Sequence, residues 1–164
     1  MPRLNSYWMS EKVYNLVTKK TPIPCVDLVI LREIKETLEV LLILRKTGYA
    51  RGNWCLIGGR QRIGETLKDA LKRQAEELGI EVEIMVPFTS NFPAWIYDEL
   101  GQDKTKQSLT HIYPVRIKSG QLREEGKEYE SFKWFPIAKL PKLAFDQNFE
   151  IQKTLGQLEK FKKI

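Results

Sequence analysis

The segment Gly58–Gly79, GGRQRIGETLKDALKRQAEELG, constrains this chain more than any other. It comes after the apolar run WCLI, so a strand ends in two glycines and a helix begins a few residues later. Paired glycines permit a tight turn and leave the backbone open to a ligand's close approach. In the helix, Leu67, Ala70, Leu71, Ala75 and Leu78 fall on one inward stripe. Glu65, Lys68, Asp69, Lys72, Arg73, Glu76 and Glu77 lie largely off it, and Arg73 can reach Glu76 or Glu77. Gly79 is the expected C-cap. A surface helix of mixed charge needs no chemistry. Here the glycine entry adds backbone oxygens beside converging carboxylates, a donor set that suits Mg²⁺.

Around this segment the chain alternates strand and helix signals, with no repeat, low-complexity tract or interdomain linker. Ser10 is a natural N-cap for a helix from Glu11 to Thr18, which KKTPIP ends. CVDLVILRE and LEVLLILRK read as strands joined by the turn IKET, and the second runs into the basic loop RKTGYARGN. IEVEIMV, SLTHIYPVRI and SFKWF are further strands. The last segment, QNFEIQKTLGQLEKFKK, spaces Phe149, Ile151, Leu155, Leu158 and Phe161 as an amphipathic helix does. This order predicts a mixed sheet covered by helices on two faces, in a single domain over residues 1–164.

The 42% apolar content, with four Trp, six Tyr and seven Phe, supplies a core without disulfide or metal staples. Cys25 and Cys55 are far apart in apolar runs; both are predicted reduced and buried, as fits a cytoplasmic protein. The opening MPRLNSYWMSEKVYNL has no apolar core of a secretory leader, and LEVLLIL is too short to span a bilayer, so no membrane partner is expected. The net charge of +6 admits nucleic acid, an acidic membrane or a phosphorylated small molecule. Lysines on solvated faces account for most of it, and EKFKKI suits the C-terminal end of a helix. No recognition-helix motif or aromatic-basic interleaving accompanies the charge, so nucleic acid is the weakest candidate partner.

The 58–79 stretch resembles the Nudix box, a loop–helix–loop metal site. Gly59, Glu65 and Arg73 match its first anchors in spacing, and Glu76, Glu77, Leu78, Gly79 and Ile80 match its end. Over nearly the whole chain, TPIPCVDLVI, LILRKTGYARGNW and CLIGGR are similar to the GDP-mannose mannosyl hydrolases within that superfamily. The resemblance implies an α+β protein, a Nudix-type α/β/α sandwich with a mixed β-sheet, and a homodimer. It places nucleotide-sugar contacts on Asp27, Arg45, Arg60 and Tyr97. It also implies Mg²⁺, with Mn²⁺ as the alternative, held by the Gly58 carbonyl, Glu77 and Glu128 with Glu76 nearby, and catalytic roles for Arg73, Glu76 and Arg45.

Three departures stand out. The segment between Arg73 and Glu76 is one residue shorter than the motif, and a deletion rotates the later helical positions by about 100°. The helix therefore starts later, bulges, or uses Lys72 in place of the motif arginine. Gln74 replaces the motif's Glu, as the mannosyl hydrolases also do, which favours one Mg²⁺ over two or three. Glu128-Tyr129 stands where that subfamily has Gln-His before the strand ending at Trp134. Glu128 is a better metal ligand than Gln, whereas Tyr129, with an ordinary pKa of about 10, is a poor general base at neutral pH. His111 shares a strand face with Leu109, Tyr113 and Val115, and reads as a hydrogen-bonded core residue before a base. The first functional expectation is hydrolysis of a nucleoside-diphosphate sugar, GDP-mannose foremost. The alternatives are a Nudix pyrophosphatase of another nucleotide and a catalytically weak nucleotide binder.

Overall fold

The computed structural model describes residues 9–162. Residues 1–8, the start of the opening read above for a leader, and 163–164, at the end of the basic cluster, lie outside the described residues. The elements in order are α1 (Glu11–Thr18), β1 (Ile23–Ile34), β2 (Thr37–Arg45), β3 (Trp54–Cys55), β4 (Ile57–Arg60), α2 (Leu67–Glu77), β5 (Ile80–Ile84), β6 (Trp95–Asp98), β7 (Ser108–Gly120), β8 (Tyr129–Pro136), a short 3₁₀ turn (Ile137–Lys139) and α3 (Gln147–Lys162).

Ser10 caps α1 as expected, its hydroxyl accepting from Val13 N at 3.4 Å. The β1–β2 hairpin closes on Lys35 and Glu36, with φ +47° and +62°, the paired left-handed residues that suit a tight hairpin between twisted strands. β6 is a strand that the sequence pattern did not reveal.

One mixed eight-stranded sheet forms, with β3-β2-β1-β7-β5 in order, β4 also on β1, β6 on β7 and β8 on β2. β1 runs parallel to β7 over Ile23–Ile30 and antiparallel to β4 over Cys25–Leu28. Its side chains alternate between the two faces. Val26, Leu28 and Ile30 pack with Ala70, Leu71, Ala75 and Leu78 of α2. Val29 and Leu31 pack with Ile151 and Leu158 of α3. The result is the expected α/β/α sandwich. Burying Leu71 and Leu78 contributes roughly 1.5–3 kcal/mol each, which seats α2 firmly on the sheet. Cys25 and Cys55 are buried and free.

α3 differs from its predicted stripe. Gln147, Glu150, Ile151, Thr154 and Leu158 are the buried positions, while Phe149 and Phe161 remain 46% and 41% exposed. The phenylalanines flank the helix against Trp95 and Phe88. Polar side chains therefore enter the interior, on the face of β1 that carries Asp27. No helix among the described residues is long and apolar enough to cross a membrane.

Candidate functional site

The loop before α2 is braced from inside. Thr66 caps the helix by accepting from Asp69 N at 3.1 Å, and the Asp69 carboxylate accepts from Thr66 N at 2.9 Å. Glu65 accepts from Arg62 N at 2.9 Å and from Arg73 Nε and Nη2 at 2.7 and 3.0 Å. Arg73 Nη2 also donates to the Arg60 carbonyl at 2.9 Å, clamping the glycine loop to the helix. Burial raises the Glu65 pKa, but the Arg73 and Arg62 hydrogen bonds outweigh it and hold the carboxyl below its usual range. The partner of Arg73 is thus Glu65, not Glu76 or Glu77.

This pairing also settles the helix register. α2 is regular from Leu67, and Arg73 rather than Lys72 occupies the clamp. At the far end Leu78 is the C-cap and Gly79 turns the chain at φ +80°. Adjacent residues on a helix point about 100° apart, so the two neighbouring acids diverge. Glu77 points inward. Glu76, with its side chain 56% exposed, pairs with Lys72 Nζ at 3.6 Å and reaches only the rim shared by the cleft and a groove behind α2. Gln74 is buried; with its amide oxygen toward the donors, it accepts from Gly59 N at 3.3 Å and Arg73 Nη1 at 3.1 Å. It ties the loop to the helix.

A cleft of about 1220 Å³ opens beside this unit. Gly58, Gly59, Arg60, Arg73, Glu77 and Glu128 line its outer end. Glu77 Oε1 is buried and has no hydrogen-bond partner among the described residues. Burial first, then the Glu128 charge, raises the Glu77 pKa. Glu128 is held in place by its carbonyl, which accepts from Lys46 N at 2.8 Å, and by Lys46 Nζ donating to Gly126 O at 3.3 Å. A carboxylate oxygen left bare beside a second carboxylate and a glycine backbone is a donor set that a divalent cation fits. Arg45 lines the same cleft, its Nε donating to Thr47 O at 3.0 Å and its guanidinium 5.7 Å from the Phe145 ring centroid. Arg60 lies 4.9 Å from the ring centroid of Tyr14 on α1.

Three residues sit elsewhere. Tyr129 is fully buried, and its hydroxyl donates to the Arg123 carbonyl at 3.0 Å; burial and the Glu77 charge raise its pKa, which removes it further from base chemistry. It anchors the 123–128 loop, and strand alternation sends its neighbour Glu128 toward the cleft. Tyr97 was expected among the substrate contacts. It packs against Trp95 and Phe149 at 5.1 and 6.0 Å between ring centroids and is not part of the cleft wall, because β6 turns that face toward α3. His111 Nδ1 lies 3.1 Å from the Cys25 carbonyl, also outside the cleft wall.

Asp27 lies at the inner end, opposite Gly58 in the β1–β4 ladder. A Cβ at Gly58 would overlap Asp27 Oδ1 and approach Val26 O at 2.7 Å, so only glycine fits. Asp27 Oδ2 accepts from Gln147 Nε2 at 3.0 Å, while Gln147 Oε1 accepts from Leu56 N at 2.7 Å. Glu99, just after β6, accepts from Thr110 Oγ1, and Glu150 on α3 completes a buried carboxylate trio. Burial, then the Glu99 charge, pushes Asp27 up to about 8. Glu99 is raised chiefly by burial, and Glu150 is raised well above the ordinary range by burial and then by Asp27. Sequence reasoning identified Asp27 and missed Glu99, Glu150 and Gln147. The Gln147-Glu150-Thr154 spacing marks one helical face, but the competing phenylalanines obscured it.

Three comparisons bear on this arrangement. The family model described as the NUDIX domain matches residues 21–155. The chain is 29% identical to ADP-ribose pyrophosphatase of Methanocaldococcus jannaschii over 114 residues, 69% of this chain and 63% of that one. It is likewise 29% identical to the Homo sapiens 8-oxo-dGDP phosphatase NUDT18 over 114 residues, 66% of this chain and 31% of that one. The chain therefore spans less than two thirds of either relative. Among solved structures, the NUDIX domain of Shewanella oneidensis NrtR complexed with ADP ribose is similar at a TM-score of 0.62 and 24% identity, covering 92% of this chain and 99% of that one. A UDP-X diphosphatase is similar at 0.67 and 20% identity, covering 94% and 73%. At these identities the structural likeness is one of fold.

Proposed function

The chain belongs to the Nudix family, and on that premise we propose that it is a divalent-metal-dependent hydrolase of nucleoside diphosphate derivatives. The observation that carries this reading is the bare, buried oxygen of Glu77 beside Glu128 and the Gly58 backbone. Mg²⁺ or Mn²⁺ bound there through Glu77, Glu128 and the Gly58 carbonyl would supply Lewis-acid stabilisation of charge on a departing phosphate. Arg45 and Arg60, on the same wall, would bind diphosphate oxygens. We assign Arg73 a positioning role, since its guanidinium is committed to Glu65 and the loop. Glu76 stays at the rim as a secondary contact.

The relatives' names support a diphosphate-linked nucleoside as the substrate class, with ADP-ribose the first to try. Hydrolysis of GDP-mannose to GDP and mannose is the narrower form of the reading. Similarity through Asp27, Arg45 and Arg60 supports it, and departure of GDP from the sugar carbon asks least of a base. That matters here, because neither Tyr129 nor His111 lines the cleft. A homodimer in the cytoplasm belongs to the same reading, with the free, buried thiols supporting a reducing compartment. Light scattering measures the dimer.

The decisive experiment incubates the protein with ADP-ribose and with GDP-mannose, with and without Mg²⁺, and separates the products by ion exchange. AMP from the first or GMP from the second means attack at phosphorus. GDP from the second means cleavage at the sugar carbon. No Mg²⁺-dependent product from either substrate or from a wider nucleotide panel would defeat the hydrolase reading and leave a binding protein.

A further inference from the structure

We propose that the inner end of the cleft is a second cation site, in which Asp27, Glu99 and Glu150 hold one hard divalent ion apart from the Glu77–Glu128 end. One carboxylate oxygen from each residue lies within 4.8 Å of the others, a spacing that one ion at about 2.1–2.6 Å from each oxygen can span. The three come from β1, the residue just after β6, and α3. Asp27 and Glu99 form part of the cleft wall, whereas Glu150 reaches them from behind.

Glu150 carries the argument independently. It is 0% exposed, and neither carboxylate oxygen has a hydrogen-bond partner among the described residues. A merely structural buried glutamate would be expected to collect donors. Three neutral donors nearby are committed to other acceptors. Thr154 Oγ1 donates to the Glu150 backbone carbonyl at 2.8 Å rather than to its carboxylate. Gln147 gives its amide N–H to Asp27, and Thr110 gives its hydroxyl to Glu99.

Acidic groups crowd this end: Asp103 acts on Glu99 and Asp146 acts on Glu150, while the cations Lys106 and Arg45 act on Asp27. The donors are carboxylate oxygens with no imidazole among them, so the ion is of the Mg²⁺, Mn²⁺ or Ca²⁺ type rather than zinc or copper. Such an ion would tie α3 to β1 and the β6–β7 connection.

Mn²⁺ is the probe, counted by the loss of its free electron paramagnetic resonance signal on titration into the full chain near neutral pH. Glu77→Gln removes the outer site and is expected to retain one Mn²⁺. Glu77→Gln/Glu150→Gln is expected to retain none, with circular dichroism confirming its fold; should that variant not fold, Glu77→Gln/Asp27→Asn carries the same test. Saturating Mn²⁺ should raise the melting midpoint of Glu77→Gln by about 5 °C or more and leave the double variant unmoved. If Glu77→Gln binds no Mn²⁺, or if removing Glu150 or Asp27 leaves the count unchanged, the site does not exist. The acids then hold shared protons instead.

Discussion

The two ends of the cleft use the same chemical group in opposite ways. At the outer end, all the acids but Glu128 come from one short stretch, 58–77, and each brace has a strong partner: Glu65 with Arg73, Asp69 with Thr66. One oxygen there, on Glu77, is left bare. At the inner end, Asp27, Glu99 and Glu150 come from distant parts of the chain, and burial rather than pairing dominates all three. Local bracing fixes carboxylates in their charged form. Long-range burial without bracing favours protonation or a cation. One backbone position, Gly58, is common to both, lining the outer end while facing Asp27 across the ladder.

The largest expected effect separates the ends by activity. Glu77→Gln should lower kcat on whichever substrate is turned over by about 10²–10⁴-fold, since Lewis-acid stabilisation is worth several kcal/mol. Circular dichroism should show an unchanged fold. An unchanged kcat would remove Glu77 from the site. Gly58→Ala strikes both ends at once, because its Cβ meets the Asp27 carboxylate and the Val26 backbone. Overpacking of this kind should cost about 3 kcal/mol, a fall of about 6–12 °C in Tm. Gly59→Ala meets only the flexible end of Gln74, at 2.8 Å, and should cost about 1 kcal/mol. Equal thermal losses in the two variants would mean that the Asp27–Gly58 contact is not the shared hinge.

The ends should also respond to pH with opposite sign. Glu65 is held below its usual range, so its contribution is present above the unfolded carboxylate pKa and is lost as pH falls through the lower, folded value. Asp27, Glu99 and Glu150 are raised. Their contribution is complete below the unfolded carboxylate range, about 4, and is lost as pH rises, through about 8 for Asp27. In chelator, Tm should therefore fall by on the order of 5 °C between about pH 5 and pH 8, and Glu150→Gln should flatten that slope. Calorimetry across this range checks it. A wild-type slope that Glu150→Gln leaves intact would place the titration outside the inner trio.

Legibility in the sequence divides along the same line. The glycine entry, the apolar stripe from Leu67 to Leu78 and the Ser10 cap are local patterns, and each appears in the structure where spacing predicted it. The direction of Glu76 and Glu77 was not legible. It depends on which basic residue reaches Glu65, a contact across eight residues that periodicity does not encode. The inner trio was less accessible still. Glu99 comes after a strand with few of the alternating apolar signals that mark one, and Glu150 is buried because Phe149 and Phe161 find aromatic partners on the helix flank. Tyr97 was expected at the substrate from the family resemblance alone, and its ring cluster with Trp95 and Phe149 was not legible, because it depends on how β6 meets α3.

The smallest effect tests the register itself. Glu76 is exposed and paired with Lys72 in an i,i+4 arrangement worth only about 0.3–0.5 kcal/mol. Glu76→Gln should therefore shift Tm by about 1–2 °C at most and change kcat less than about threefold. The contrast with Glu77→Gln is informative because the two side chains are adjacent in sequence and differ only in azimuth on the helix. If Glu76→Gln instead lowered kcat as far as Glu77→Gln, both acids would serve the chemistry. The C-terminal turn of α2 would then have to unwind by part of a turn when substrate binds, turning Glu76 inward beside Glu77.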